Sequence, residues 1–336
     1  MIFTLDYEIY GNGNGLLEDL VIRPAEKLKA IFDKWHAPFV VFADVAELEL
    51  MEAHRTDPSI DRVKQQLRDF HRAGFELGLH IHPWWYKARR EGGRWIMDQS
   101  EYNLSTQPDE RIGQILDRAI AHLRGILGIG DFTPVSFRAG HLLFQPTRPL
   151  GKALAGRGII ADSSIYPGGL WRQQGLDYRR APRRQGYWRF MDDVTMPDPE
   201  GELIEFPIYT QMAPIWKLFT SKRLGLQQKG GPAAQTRRKI WNRIPDILRL
   251  RYPLKFDLGQ MTRKEMIAMA DRIVQEDRKK RTEFRPVVAI AHTKDPIEFE
   301  AVDDLLAGLR RQGVGISTFG AACGKIPPAV AKTART

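Results

Sequence analysis

Apolar positions along this chain switch repeatedly between two spacings. Short runs such as "MIFTLDYE", "PFVVFADV", "FELGLHIH" and "PVVAIAHTK" are almost continuously apolar, as strands buried on both faces of a parallel sheet should be. Between them the apolar residues spread to helical spacing. Pro24–Trp35 sets Leu28, Ile31, Phe32 and Trp35 on one face, and Ser59–Ala73 does the same with Val63, Leu67 and Phe70, with Ser59 placed to cap it. Asp109–Leu127 repeats the pattern with Ile112, Ile115, Leu116, Ala119, Ile120 and Leu123. Further on come "TPVSFRAGHLLF", a short helix to Arg157, "GIIADSSIYPGG" and "ELIEFPIYT". The last units are a helix over Thr262–Gln275, opened by a Thr262/Glu265 capping box, then "PVVAIAHTK", a helix over Phe299–Arg311 and "VGISTFG".

Three joints, "HRAG", "AGRG" and "RRQG", each end a helix on glycine and launch a strand at once, the compact connection of βα repeats. About seven or eight such units predict an α/β protein with a covered parallel sheet. A closed or slightly open (β/α) barrel fits best, with an open doubly wound sheet as competitor. Leu170–Gly259 is irregular and rich in Arg and Pro; it reads as a set of insertions on the loop face.

Bulk properties narrow the picture. With 336 residues, 43% hydrophobic and 27% charged, the chain can build one large barrel. Cys323 is the single cysteine, which excludes an internal disulfide framework. The opening lacks the charged and apolar regions of a signal peptide, and no apolar run reaches membrane-span length; the expectation is a soluble, cytoplasmic protein. Of the net charge of +10, a net +9 lies between Trp216 and Arg251, where ten Lys/Arg face only Asp246, interleaved with Trp216, Phe219, Trp241, Ile244 and Leu248. Such a segment can lie on an anionic lipid surface or grip phosphates, or simply be a solvated insertion.

Polar residues gather at strand ends. Asp6 and Glu8 close the first strand and His80 and His82 the third; Arg138 and His141 follow, then Asp162 with Ser163 and Ser164, then His292 and Asp295. In a parallel barrel these ends converge on one mouth, where the active sites of that fold sit. Residues i and i+2 of a strand share a face, so His80 and His82 can approach one point. Two histidines with a carboxylate are a common ligand set for catalytic zinc and similar metals. Arg138 can hold one first-strand acid charged and oriented. His292 suits a proton donor, with Asp162 as the expected orienting acid. Trp84, Trp85 and Tyr86, with Trp171 and Trp188 in the loop-face span, offer flat faces for sugar rings. Nothing resembles a nucleic-acid reading module.

The ordered blocks "FTLDYE", "ELGLHIHP", "SFRAGH", "ADSSIYPGG" and "AIAHTKD" resemble the NodB-type polysaccharide deacetylases, carbohydrate esterase family four, and within them the WalW-like branch linked to envelope polysaccharide synthesis. The resemblance implies a distorted (β/α)7 barrel over residues 1–325, with a basic loop-face insertion at about 170–260 and a flexible tail at 326–336. It implies Asp6 as general base, Arg138 as the arginine orienting it, His80 as first histidine of the metal pair, Asp162 as the acid tuning the catalytic histidine, and His292 as general acid. Two departures from the family pattern stand out. The usual first block has adjacent aspartates, the second binding metal, whereas here Tyr7 follows Asp6 and Glu8 comes next. The usual histidines are four apart, whereas here they are two apart. Either Glu8 replaces the missing aspartate or Asp6 binds the metal itself, and a metal-free relative is conceivable.

The expected activity is metal-assisted amide hydrolysis. Glu8, His80 and His82 would hold a divalent ion, zinc first among candidates, and Trp84, Trp85, Tyr86 and His141 would contact an N-acylated amino sugar. The basic segment suggests an anionic substrate, nucleotide- or lipid-linked, handled at the inner membrane face. The alternatives are an amidase on a non-sugar C–N bond and a non-catalytic protein that binds glycan or lipid phosphate in envelope assembly.

Overall fold

A computed structural model describes residues 1–216, 250–279 and 284–329. An eight-stranded curled sheet organises it. The strands are β1 (Ile2–Tyr7), β2 (Val40–Asp44), β3 (Glu76–Ile81), β4 (Ser136–Ala139), β5 (Ala161–Asp162), β6 (Trp188–Phe190), β7 (Leu203–Glu205) and β8 (Val288–His292), in the spatial order β6-β7-β5-β4-β3-β2-β1-β8. All neighbours are parallel except the β6–β7 pair. Single bridges from Ile208 to Val288 and from Asp257 to Ile290 bring chain from between β7 and β8 alongside β8. The span read from sequence as loop-face insertion therefore supplies β6 and β7 to the sheet itself. Most of its basic part, 217–249, lies outside the described residues.

Helices α1 (Arg23–Lys34), α2 (Val45–Ala53), α3 (Ile60–Arg72), α4 (Asp109–Leu127), α5 (Thr147–Ala155) and α6 (Arg263–Arg278) lie between the strands, and α7 (Phe299–Arg311) and α8 (Phe319–Cys323) follow β8. The buried faces of α3 and α4 carry the residues that their apolar spacing marks, Val63, Leu67 and Phe70 on α3 and Ile112 through Leu123 on α4. The Thr262/Glu265 capping box forms at the start of α6. Ser59, by contrast, sits at the N-cap of α3 without a side-chain capping bond, and its own N–H goes to Asp57 Oδ1 at 2.8 Å. Helix α2 gives no periodic signal because six of its nine residues are buried; a helix apolar on all sides has no stripe to read. "VGISTFG" forms only one bridge, Ser317 to Ile2, before α8 begins. No helix among the described residues is long and apolar enough to cross a membrane.

The pleat sorts the strands into two cores. Phe3, Leu5 and Tyr7 of β1 join Val41, Ala43, Leu77, Leu79 and Phe137 in the layer between sheet and helices. Ile2 joins Val40, Phe42, Ala161, Ile204, Phe206, Ile208, Val288 and Ile290 in a smaller cluster inside the curl. Because successive residues alternate faces, Thr4 and Asp6 also point inside, above this apolar floor. Gly78 makes room for the floor: a Cβ there would meet the Phe42 ring at 2.5 Å and Ser136 Oγ at 2.7 Å. Phe42 cannot retreat easily, since Arg138 stacks on it at 4.3 Å and Phe319 at 5.9 Å. Gly78→Ala should therefore destabilise the protein by about 1–3 kcal/mol through overpacking, read as a lowered urea midpoint at unchanged m-value.

Candidate active site and metal centre

Strand register builds the site. Asp6 pairs with His292 across β1 and β8, while Asp44, His80 and Arg138 form one row across β2, β3 and β4. All five belong to strand ends at the same rim, with Glu8 and His82 just beyond.

Arg138 is fully buried and ties this rim together. Its Nη1 donates to Asp6 Oδ1 at 2.5 Å and Thr4 Oγ1 at 2.8 Å, its Nε to the Ser163 carbonyl at 2.8 Å, and its Nη2 to Ser163 Oγ at 3.1 Å. Burial would raise the Asp6 carboxyl, but the Arg138 guanidinium, with His292 and His80, outweighs it and holds the group below the usual carboxylate range. The Arg138 carbonyl in turn accepts from His80 Nδ1 at 2.8 Å. A carbonyl only accepts, so the neutral His80 ring carries its lone pair on Nε2, which is buried and has no hydrogen-bond partner.

That nitrogen faces Glu8. Glu8 Oε2 lies 3.7 Å from His80 Nε2 and 3.3 Å from His82 Nδ1. His82 Nδ1 is also 2.8 Å from Asp44 Oδ2. Burial would raise Glu8, yet Lys294, His82 and His80 together hold it well below the ordinary value. One donor atom from each of Glu8, His80 and His82 falls within 4.8 Å of the others, and Asp6, Glu8 and His292 meet the same limit. A buried, unpartnered imidazole nitrogen beside a charged carboxylate suits a divalent cation, and Glu8, His80 and His82 are the residues that could hold it.

His292 stands between carboxylates. Its Nε2 is 3.4 Å from Asp6 Oδ2 and its Nδ1 is 3.3 Å from Asp295 Oδ2. Burial pulls the imidazole down, but Asp295, Asp6 and Asp257 outweigh it and push the pKa up to about 9. The acid beside Nδ1 is thus Asp295, where the sequence pointed to Asp162. Ala161 belongs to the inner cluster, so Asp162, one residue on, faces the helix layer. There it pairs in register with Phe137 and Glu205 and accepts from Ser164 Oγ at 2.8 Å. Burial raises both Asp162 and Glu205.

The aromatic run divides. Trp84 lies beside the histidines: its ring is 6.0 Å from His82 and 4.8 Å from His141. His141, held at φ 55°, stacks on Tyr102 at 4.3 Å and 3° and packs against His82 at 4.5 Å. Its Nε2 and Trp84 Nε1 are buried without a hydrogen-bond partner. Trp171 packs edge-to-face against Tyr102, with ring centroids 6.0 Å apart. Trp85 turns away into the core against Trp95, and Tyr86 lies under Arg118 of α4, 4.4 Å from its ring. These two are packed as structural residues, since a one-turn 3-10 helix over Pro83–Lys87 fans the three rings in different directions. Trp188 is buried too, its Nε1 donating to the Val194 carbonyl at 2.8 Å.

Sequence reasoning missed Asp44, Lys294, Glu47, Asp257 and Tyr102. Asp44 and Lys294 carried a usable signal, since Asp44 ends β2 and Lys294 follows the end of β8 by two residues. Lys294 Nζ donates to Glu8 Oε1 at 2.8 Å, and Glu47 Oε1 accepts from Ile9 N at 2.9 Å. Asp257 is buried with Oδ2 unpartnered, within the same 4.8 Å of His292 and Asp295.

No family model matches the chain, and no curated protein matches it. Solved structures do. A protein described as a polysaccharide deacetylase from Mycobacterium smegmatis superposes with a TM-score of 0.54 at 14% identity, covering 100% of this chain and 94% of that one. A branching enzyme of GH57 type from Pyrococcus horikoshii gives 0.53 at 10% identity over 97% and 70% of the two chains. An allantoinase gives 0.50 at 13% identity over 95% and 87%. At such identities the likeness establishes a shared mixed α/β fold. Bearers of that fold have different names, so the chemistry has to be argued from the site.

Arg138→Met should cost about 3–5 kcal/mol in urea unfolding near neutral pH, because it leaves Asp6 charged and buried without a partner. Asp6 has a lowered folded pKa, so the stabilisation is complete above its unfolded value of about 3.9 and is lost as pH falls through the lower folded one. The gap between parent and variant should narrow in that acid window.

Proposed function

We propose that the protein is a metal-dependent hydrolase that removes an N-acetyl (or N-formyl) group from an amino sugar of a cell-envelope polysaccharide or its activated precursor. One observation carries this reading. Glu8 lies against both His80 and His82, beside an Asp6 carboxylate that contacts Arg138 and His292. In this reading the curled sheet is a distorted (β/α)7 barrel of NodB type, resembling the WalW-like branch, with residues 1–325 as one unit.

A divalent ion held by Glu8, His80 and His82, zinc first among candidates, supplies a Lewis acid for the acyl carbonyl and lowers the pKa of water. Asp6, kept charged and oriented by Arg138, takes the proton of the attacking water. As the C–N bond breaks, His292 gives its Nε2 proton to the departing amine, and Asp295 at Nδ1 keeps the ring aligned. The products are a carboxylic acid and a free amino sugar. Trp84, Tyr102 and His141 offer ring faces beside this centre for the sugar.

Acetate release from a panel of N-acetylated oligosaccharides tests the reading. Activity should vanish on chelation and return with Zn2+. His292→Ala and Asp6→Asn should each lower kcat by about 10²–10⁴-fold while the protein stays folded. Unchanged rates in both variants would exclude it.

The allantoinase fold likeness favours a second reading, an amidase on a non-sugar C–N bond. Amine release from ureides, with acetylated sugars inert, would select it. The basic span between Trp216 and Arg251 supports an anionic, nucleotide- or lipid-linked substrate handled at the inner membrane face of the cytoplasm. Binding to anionic vesicles that weakens with salt is then expected. Salt-insensitive activity without vesicle binding removes that extension.

A further inference from the structure

Lys294 is a charged residue of the rim that the proposed mechanism leaves unused. It follows His292 by two residues, and its side chain is 19% exposed. Its Nζ donates to Glu8 Oε1 at 2.8 Å and to the Ile9 carbonyl at 3.3 Å. The two segments are also clasped through the backbone, since Glu8 N donates to Thr293 Oγ1 at 3.2 Å and Thr293 Oγ1 to the Glu8 carbonyl at 3.0 Å. The ammonium is therefore fixed on one oxygen of the same carboxylate whose other oxygen faces His80 and His82. Imidazoles bring no negative charge to a cation. With Lys294 in place, Glu8 and its partner sum to zero before any ion arrives.

We propose that Lys294 is a built-in counter-cation of Glu8 that competes with the divalent ion for this carboxylate, and so sets how loosely the centre holds its metal. The inference rests on the metal-binding reading above. Two effects oppose each other when Lys294 loses its charge. Losing the bond to Oε1 loosens Glu8, which weakens coordination. Removing a positive charge that shares a buried carboxylate with a divalent ion strengthens it, and screening is weak at such depth. Glu8 keeps a further anchor in its backbone clasp to Thr293, so losing the bond from Lys294 loosens it little. The electrostatic effect wins, and the neutral variant binds the ion more tightly.

The experiment is Zn2+ titration of chelator-stripped protein by calorimetry, with thermal melts at matched Zn2+ as a second readout. Lys294→Met should bind Zn2+ about tenfold or more tightly than the parent, the scale of buried charge couplings, and should gain more in Tm from the ion. Lys294→Gln, which keeps a donor without the charge, serves if the methionine variant fails to fold and should also bind more tightly. Lys294→Arg should match the parent within about threefold, since it retains the charge. Equal or weaker binding by the neutral variants, with parent binding that Glu8→Gln abolishes, overturns the role of Lys294 and leaves the metal centre standing. If neither the parent nor the neutral variants bind Zn2+, or if Glu8→Gln binds as the parent does, the metal-centre reading falls and this inference with it.

Discussion

The site depends on one buried guanidinium. Arg138 reaches from β4 across the inside of the curl to Asp6 on β1, while its Nε and Nη2 hold Ser163 and its carbonyl fixes the ring of His80. Three strand ends are thereby locked in relation to one another by a single residue that is fully buried. A buried charge is tolerable only when paired and hydrogen-bonded, and Arg138 meets that condition with four bonds to oxygens from β1 and from the turn after β5. Its flat face rests on Phe42 of the apolar floor. The polar rim is thus seated directly on the hydrophobic interior that supports it.

The rim is dense in compensating charge. Asp6 is matched by Arg138 and His292, Glu8 by Lys294 and the histidines, and His292 in turn by Asp295 and Asp257. Each acid that stays charged has a cation in contact. Glu47 is instead pushed well above the usual range, first by burial and then by Asp44 and Glu8. Such a spread of protonation tendencies around one rim is what general acid–base chemistry requires.

Much of this was legible from the sequence because a parallel strand announces its C-terminal end. Asp6, Glu8, His80, His82, Arg138 and His292 each follow a run of apolar residues, and they meet at one rim. What the sequence did not disclose was face. Asp162 ends its apolar run just as Asp6 does, yet it points outward, since a two-residue strand gives no alternation to read and one position reverses the side chain. Asp44 went unnoticed because the buried helix α2 begins immediately after it, and its oxygen also serves as that helix's cap. Trp84, Trp85 and Tyr86 are adjacent in sequence but fan out around a tight turn, leaving Trp84 alone beside the histidines.

The most direct measurement is anomalous diffraction from crystals of the protein soaked with Zn2+ or Co2+. The account predicts one ion at full occupancy bonded to Glu8, His80 and His82, with the Arg138–Asp6 contact intact beside it. An ion found elsewhere, or none, with His80 Nε2 still without a partner, would contradict it.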